Sequence, residues 1–202
     1  KETMEIYAPL ADRMGMNRIR DELEDLSFSV LNKPARDLIL ERLKFIKNNR
    51  DDTFKSISLD LIELLKSNGI NATITGREKT PFSIWRKIQN KKISLEQLTD
   101  IIGFRIVVKN IEDCYKALGI FHSKFSTIPG KFKDYISTPK INKYKSIHTA
   151  VIGPKKNRIE IQIRTFEMQE FAERGIASHW KYKSSEKFSE LSWKEYDWLR
   201  DL

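Results

Sequence analysis

From Lys1 to about Asn68, apolar residues recur at three- and four-residue spacing, which predicts helix throughout. Leu23, Leu26 and Val30 fall on one face, with acids between them. Pro34 can open a further helix with Leu38, Ile39, Leu43 and Ile46 on its apolar side. Leu59–Leu65 gives another, and Gly69 stands where a helix end favours a left-handed residue. After Gly69 the period changes. Ile70–Thr75 alternates as a short strand, and Thr80-Pro81 reads as an N-cap and first residue of a helix running to about Lys92. The almost wholly apolar run Ile101–Val108 predicts a central strand buried on both faces. Asn110 can cap a helix from Ile111 to about Phe125. A lysine-rich loop follows, then strands over Ile147–Ile152 and Arg158–Arg164, joined by a turn at Gly153-Pro154. Thr165 can cap a last helix to about Lys183, and the tail from Ser189 looks helical. This order predicts an α+β domain over residues 69–202, behind a helical lead-in over residues 1–68.

Composition narrows the class. The chain has 202 residues, 40% of them hydrophobic, enough for a packed core. Its single cysteine, Cys114, allows neither an internal disulfide nor a Cys-rich zinc site and suits a reducing, cytoplasmic setting. No apolar run reaches the length of a membrane span, and no signal-peptide pattern opens the chain. It starts inside a helical pattern without an initiating Met, as a piece of a longer protein would. The formal charge of +9 is unevenly placed. Residues 1–68 hold 12 Lys/Arg against 13 Asp/Glu, whereas residues 69–202 hold 25 against 15. The second part should therefore meet an anion, either nucleic acid or nucleotide phosphate.

Four segments could carry chemistry. In Arg158-Ile-Glu-Ile-Gln-Ile-Arg164 the isoleucines face one way, and Arg158, Glu160, Gln162 and Arg164 the other. That pattern fits either a solvated outer sheet face or the polar floor of a ligand site. Asp100 stands at the mouth of the apolar run, either as a strand-end cap or, with Glu160, as half of a two-carboxylate site for Mg²⁺. Arg105 lies inside that run, where a guanidinium must be paired or reach a ligand, and Gly103 leaves space beside it. In the segment from Gly76 to Lys87, Ser83 and Lys87 share a helix face opposite Ile84, Trp85 and Ile88. Arg77 and Lys79 lead into the helix N-terminus, which favours anions, although the glycine-rich Walker pattern is missing. In the last segment, Tyr135 and Tyr144 are interleaved with lysines, so a base could stack while lysines hold phosphates. There Tyr144 could equally be core and His148 a satisfied strand histidine, and alone the segment would suit a single-stranded nucleic-acid binder.

In order, GREKTPFSIWRK, LTDIIGFRIVV, FKDYISTPKINKYKSIHT, IEIQIRT and the helix ending GIASHWKYK resemble the synthetase domain of the RelA/SpoT family of (p)ppGpp (alarmone) synthetases. They cover residues 76–183 almost without gaps. The lead-in IYAPLADRMGMNRIRDELEDLSF resembles the helical end of the hydrolase half that precedes the synthetase in long members. The resemblance implies a nucleotidyltransferase-like mixed sheet flanked by helices, and Mg²⁺-dependent transfer of the β,γ-diphosphate of ATP to the 3′-OH of GDP or GTP. By the same resemblance, Asp100 would bind the metal, and Glu160 would help hold it or accept the 3′-hydroxyl proton. Arg77, Lys79, Ser83 and Lys87 would hold ATP phosphates, with Arg77 and Arg105 flanking adenine. Tyr135 would stack on guanine, Lys140, Asn142, Tyr144 and His148 would surround the acceptor, and Gln162 and Arg164 would line the floor. Any ribosome contact would come through domains outside this chain; neither membrane nor DNA is expected as a partner.

Three departures bear on this. Asn142-Lys-Tyr-Lys145 replaces the family's usual Asn-Gly-Tyr-Gln; glycine takes positive φ easily and lysine does not, so a reshaped acceptor loop is expected. Lys131-Phe-Lys-Asp134 matches the basic motif of bifunctional members. The three histidines are followed by Ser123, Thr149 and Trp180, so the His-Asp pair of the family's hydrolase site is missing and alarmone hydrolysis is not expected. Two other readings remain: a catalytically silent nucleotide-binding or regulatory module derived from such a synthetase, and a basic RNA-binding module.

Overall fold

The computed structural model describes residues 1–77, 79–91 and 102–175. Asp100, the last helix beyond Gly175 and the tail from Ser189 lie outside the described residues, as does the side chain of Ile46. The chain starts with a π-helical turn, Thr3–Tyr7, followed by α1 (Ala8–Arg13), α2 (Asn17–Leu31) and α3 (Lys33–Ser67). Then come β1 (Thr73–Gly76), α4 (Pro81–Lys91), β2 (Ile102–Val108), α5 (Ile111–Lys124) and two short strands, β3 (Ser126–Thr127) and β4 (Lys133–Asp134). The chain continues through β5 (Ile147–Ile152), a 3₁₀ turn at Pro154–Lys156, β6 (Arg158–Thr165) and α6 (Phe166–Arg174).

The caps explain most of these boundaries. Asn110 Oδ1 accepts from Asp113 N at 2.7 Å, opening α5, and Thr165 Oγ1 accepts from Met168 N at 3.3 Å, opening α6. Thr80 Oγ1 accepts from Ser83 N at 3.3 Å just before Pro81. Gly69 ends α3 at φ +78°. The two helices expected over 34–65 are one, because neither Gly nor Pro occurs between Pro34 and Ser67 to break it.

The six strands form one sheet in the order β1-β2-β6-β5-β3, with β4 also paired to β5. Only β2 and β6 run parallel; β1–β2, β5–β6, β3–β5 and β4–β5 are antiparallel. One face is the main core: Phe104, Ile106, Ile147, Val151, Ile159, Ile161 and Ile163 pack there against α3 and α5. From α3 come Ile57, Leu61 and Leu65, all fully buried, so the core runs across the change of period at Gly69. Gly76 lets Phe54 of α3 lie over the sheet: a Cβ there would sit 2.4 Å from Phe54 Cζ, and that ring stacks on Phe104 at 4.6 Å.

A second cluster joins the lead-in to α4 through Phe28, Ile39, Phe82 and Ile84, with Trp85 and Ile88 partly buried against it. This overturns the expected inner face of α2. Leu26 and Val30 are 60% and 83% exposed, and α2 instead buries Glu24, Ser27 and Phe28. The Phe28 ring packs edge-on to Phe82 at 5.5 Å and against Trp85 at 5.4 Å, and that aromatic contact sets the rotation of the helix. Arg86 meets the buried Glu24 at 3.1 Å; burial still holds that carboxyl above its ordinary pKa. Among the described residues no helix is long and apolar enough to cross a membrane.

Candidate nucleotide site on the polar sheet face

The face opposite the core gathers several of the residues singled out in the sequence. Strand register sets Gly103 beside Glu160 and Arg105 beside Gln162, while β5 sets His148 beside Gln162 from the other side. Alternation then puts Arg105, Glu160, Gln162, Arg164 and His148 on one surface. At its centre this surface is not a solvated exterior: Gln162 is 7% exposed and Arg164 2%.

Charge on the surface is strongly one-sided. Glu160 is half-buried and meets Lys79 Nζ at 3.1 Å. Arg105 reaches Glu173 of α6 at 3.7 Å. Arg164 has Gln162 Oε1 at 2.5 Å and lies over the Tyr144 ring at 5.5 Å. Burial above all, with repulsion from Arg105 and Arg77, pushes the Arg164 guanidinium down to about 10. Burial also drives His148 down to about 3, with Arg164, Arg77, Lys140 and Lys133 adding repulsion, so its imidazole is neutral at physiological pH. The Nε atoms of Arg105 and Arg164 are buried without a hydrogen-bond partner among the described residues. Buried cations with unused donors suit an anion.

Arg77 comes alongside because Gly103 has no side chain: Arg77 N donates to Gly103 O at 2.8 Å, and a Cβ on Gly103 would lie 3.3 Å from Arg77 O. Ser83 and Lys87 sit half-buried one turn apart on α4. The Ser83 hydroxyl donates within the cap, to Thr80 O at 3.2 Å.

At the β5 edge, Tyr135, Tyr144 and His148 form a mutually edge-on aromatic cluster, with centroids 5.2–6.0 Å apart. The Tyr144 hydroxyl lies 2.9 Å from His148 Nε2, and Lys140 Nζ stands over the Tyr135 and Tyr144 rings at 5.1 and 5.3 Å. The loop between them bears on one expectation. Lys143 adopts φ +59°, so the lysine takes the left-handed conformation that glycine adopts more easily. Lys143 N donates to Lys140 O at 2.8 Å and Lys140 N to Tyr144 O at 3.2 Å, closing the turn around it. The Asn142 amide donates to Asp12 O at 3.0 Å and accepts from Tyr144 N at 3.2 Å.

Two participants escaped the sequence reading. Lys133 of β4, within the basic Lys131–Asp134 motif but not among the expected ligands, sits in register with His148. Glu173 had no signal separating it from the other acids of its helix, Glu167 and Glu170.

Among the described residues, the oxygen donor that this face offers a hard divalent cation is the Glu160 carboxylate. Glu160 is a half-buried carboxylate already facing a cation, and no group of three metal-binding side chains exists among the described residues. One or two carboxylates completed by substrate phosphates is how Mg²⁺ is usually held.

Comparison with known proteins agrees. Residues 76–187 match the model described as the region found in RelA / SpoT proteins. The GTP pyrophosphokinase rsh of Brucella melitensis is 51% identical over 183 residues, 91% of this chain and 24% of that protein. The guanosine-3′,5′-bis(diphosphate) 3′-pyrophosphohydrolase of Aquifex aeolicus is 46% identical over 203 residues, 100% of this chain and 29% of that protein. The chain thus spans about a quarter of the length of these relatives. Among solved structures, the small alarmone synthetase 1 of Bacillus subtilis bound to its product pppGpp superposes with a TM-score of 0.53 at 25% identity, over 73% of this chain and 84% of that one. A GTP pyrophosphokinase family protein from Streptococcus pneumoniae gives 0.53 at 26%, over 78% and 85%. By its matched motifs and its sheet alike, the chain belongs to the RelA/SpoT family.

Proposed function

We propose that the polar sheet face transfers the β,γ-diphosphate of ATP to the 3′-hydroxyl of GDP or GTP. The observation that carries this is a half-buried acid, Glu160, set among Lys79, Arg105, Arg164 and the Tyr135–Tyr144–His148 cluster. Arg77, Lys79, Ser83 and Lys87 hold the ATP phosphates, and Arg77 and Arg105 flank adenine. Tyr135 stacks on guanine, with Lys140, Tyr144 and His148 around the acceptor, and Gln162 and Arg164 form the floor. Mg²⁺, held by Glu160 and by Asp100, would neutralise charge on the transferring group.

The bond that forms joins the acceptor 3′-oxygen to the β-phosphorus. The bond that breaks joins that phosphorus to the α,β-bridging oxygen, which departs with the electron pair on AMP. Glu160 takes the 3′-hydroxyl proton, a general-base role. Lys79 and the buried guanidiniums offset charge on the diphosphate, and two stacked purines fix the line of attack. His148, neutral here, serves as a hydrogen-bonding partner of Tyr144 and does not act as a cation.

The test is to incubate the chain with γ-labelled ATP, GDP or GTP, and Mg²⁺. Label should appear on the acceptor's 3′ position with one AMP per product. Nucleotide binding without product would indicate a silent module. Salt-sensitive RNA binding without nucleotide binding would indicate a basic RNA-binding module.

A further inference from the structure

We infer that the turn between α1 and α2 is a positioning element for the acceptor loop, acting through Asn142. The inference rests on the acceptor-loop assignment above and refines it: Asn142 holds the loop in place and is not itself a ligand.

Both polar ends of the Asn142 side chain are engaged. Its Nδ2 donates to Asp12 O, 130 residues away at the end of α1, and its Oδ1 accepts from Tyr144 N. One amide therefore bridges the lead-in and the backbone of the tyrosine that meets His148. The turn itself is fixed from its other side. Asn17 Nδ2 donates to Ala172 O at 2.9 Å in α6. Gly15, at φ +71°, approaches so closely that a Cβ would lie 3.4 Å from Gly175 Cα and 3.6 Å from Asn142 O. A Cβ on Gly175 would come 2.4 Å from Met14 O. Two glycines thus allow three backbones to meet: the lead-in turn, the end of α6 and the acceptor loop. The α6 helix carries Glu173, the partner of Arg105.

The arrangement explains how Lys143 can sit at positive φ. The loop is held from outside by Asp12 O and from inside by the Lys140–Lys143 and Lys140–Tyr144 bonds. Displacing the lead-in turn would release Asn142, and with it the rings of Tyr144 and Tyr135 that form the base platform.

Asn17 separates a positioning role from a ligand role, because its side chain bonds Gly15 O, Ala172 O of α6 and Arg20 of α2, and no residue of the acceptor loop among the described residues. In Asn17→Ala, and in Asn142→Asp, which keeps the Tyr144 acceptor but loses the donor, the Kd for GDP measured by calorimetry should rise about 3- to 10-fold, the effect of one net hydrogen bond. The Kd for ATP should not change. Amide exchange of Lys143 and Tyr144 should quicken in both variants without nucleotide. If Asn17→Ala leaves the GDP Kd and those exchange rates at wild-type values, the positioning role is overturned. If exchange quickens while the wild-type chain binds no guanine nucleotide, the clamp stands and the acceptor-site assignment falls instead.

Discussion

Arg164 gives the sharpest test of the claim that the sheet's polar face is built for an anion and not for stability. Its side chain is almost wholly buried, with Gln162 Oε1 as its hydrogen-bond partner. Burial pushes its pKa down to about 10, a displacement worth on the order of 3 kcal/mol at 1.36 kcal/mol per unit. The sign is unfavourable for the ligand-free protein: below pH 10 both states are protonated, so the folded state carries the whole penalty at neutral pH, and it is relieved only as pH rises past about 10. Replacing a buried ion pair by apolar side chains of similar volume is often neutral or stabilises by about 1–4 kcal/mol. Arg164, bonded to the neutral amide of Gln162, leaves no hydrogen-bonded charge behind when it is removed. Arg164→Met should therefore raise the midpoint of thermal unfolding of the ligand-free chain, by roughly 2–4 °C for each kcal/mol gained. The same change should abolish the upward shift in midpoint that ATP or GDP produces in the wild type. Both effects are read in one calorimetric series, with and without nucleotide. A lowered midpoint together with an intact nucleotide shift would mean that Arg164 is a structural cation, and the reasoning would be refuted.

Three further outcomes are expected. His148 titrates near 6.5 when unfolded and about 3 when folded, so between those values the unfolded chain binds the extra proton and stability falls with falling pH; urea unfolding should show a loss of roughly 2 kcal/mol by pH 5, and His148→Gln should flatten that slope. Lys143→Gly should relieve the left-handed strain and stabilise by up to about 1 kcal/mol, seen as a higher unfolding midpoint; a lower midpoint would count against the strain argument. Gly76→Ala should cost about 1–3 kcal/mol in urea unfolding, because its Cβ would overlap a Phe54 ring already stacked on Phe104, and Phe54→Leu in the same chain should recover part of the loss.

Elements and their caps were legible in the sequence because they are local. Asn110, Thr165 and the Thr80-Pro81 pair act within four residues, and the alternation in β6 separates its isoleucines from Glu160, Gln162 and Arg164 without any knowledge of the sheet. What the sequence hid is what depends on distant partners. The parallel pairing of β2 with β6, which brings Gly103 beside Glu160, joins segments more than fifty residues apart. The rotation of α2 was misread because Leu23, Leu26 and Val30 form as good a stripe as the buried face, and only the Phe28 contacts with Phe82 and Trp85 decide between them. Glu173 and the Asn142 bond to Asp12 were invisible for the same reason: each acquires its meaning from a residue far along the chain.

The central claim is that Glu160 is the acid of a diphosphate-transfer site, and Glu160→Gln tests it most directly. Its contact with Lys79 is half-buried, and the isosteric amide can still accept from Lys79 Nζ, so the change removes the charge while keeping the contact. A single-turnover measurement of label transfer from ATP to GDP at saturating Mg²⁺ should slow by roughly 10²–10⁴-fold, the usual weight of a general base, with the unfolding midpoint within a few degrees of wild type. Transfer at the wild-type rate in a folded Glu160→Gln chain would contradict the account.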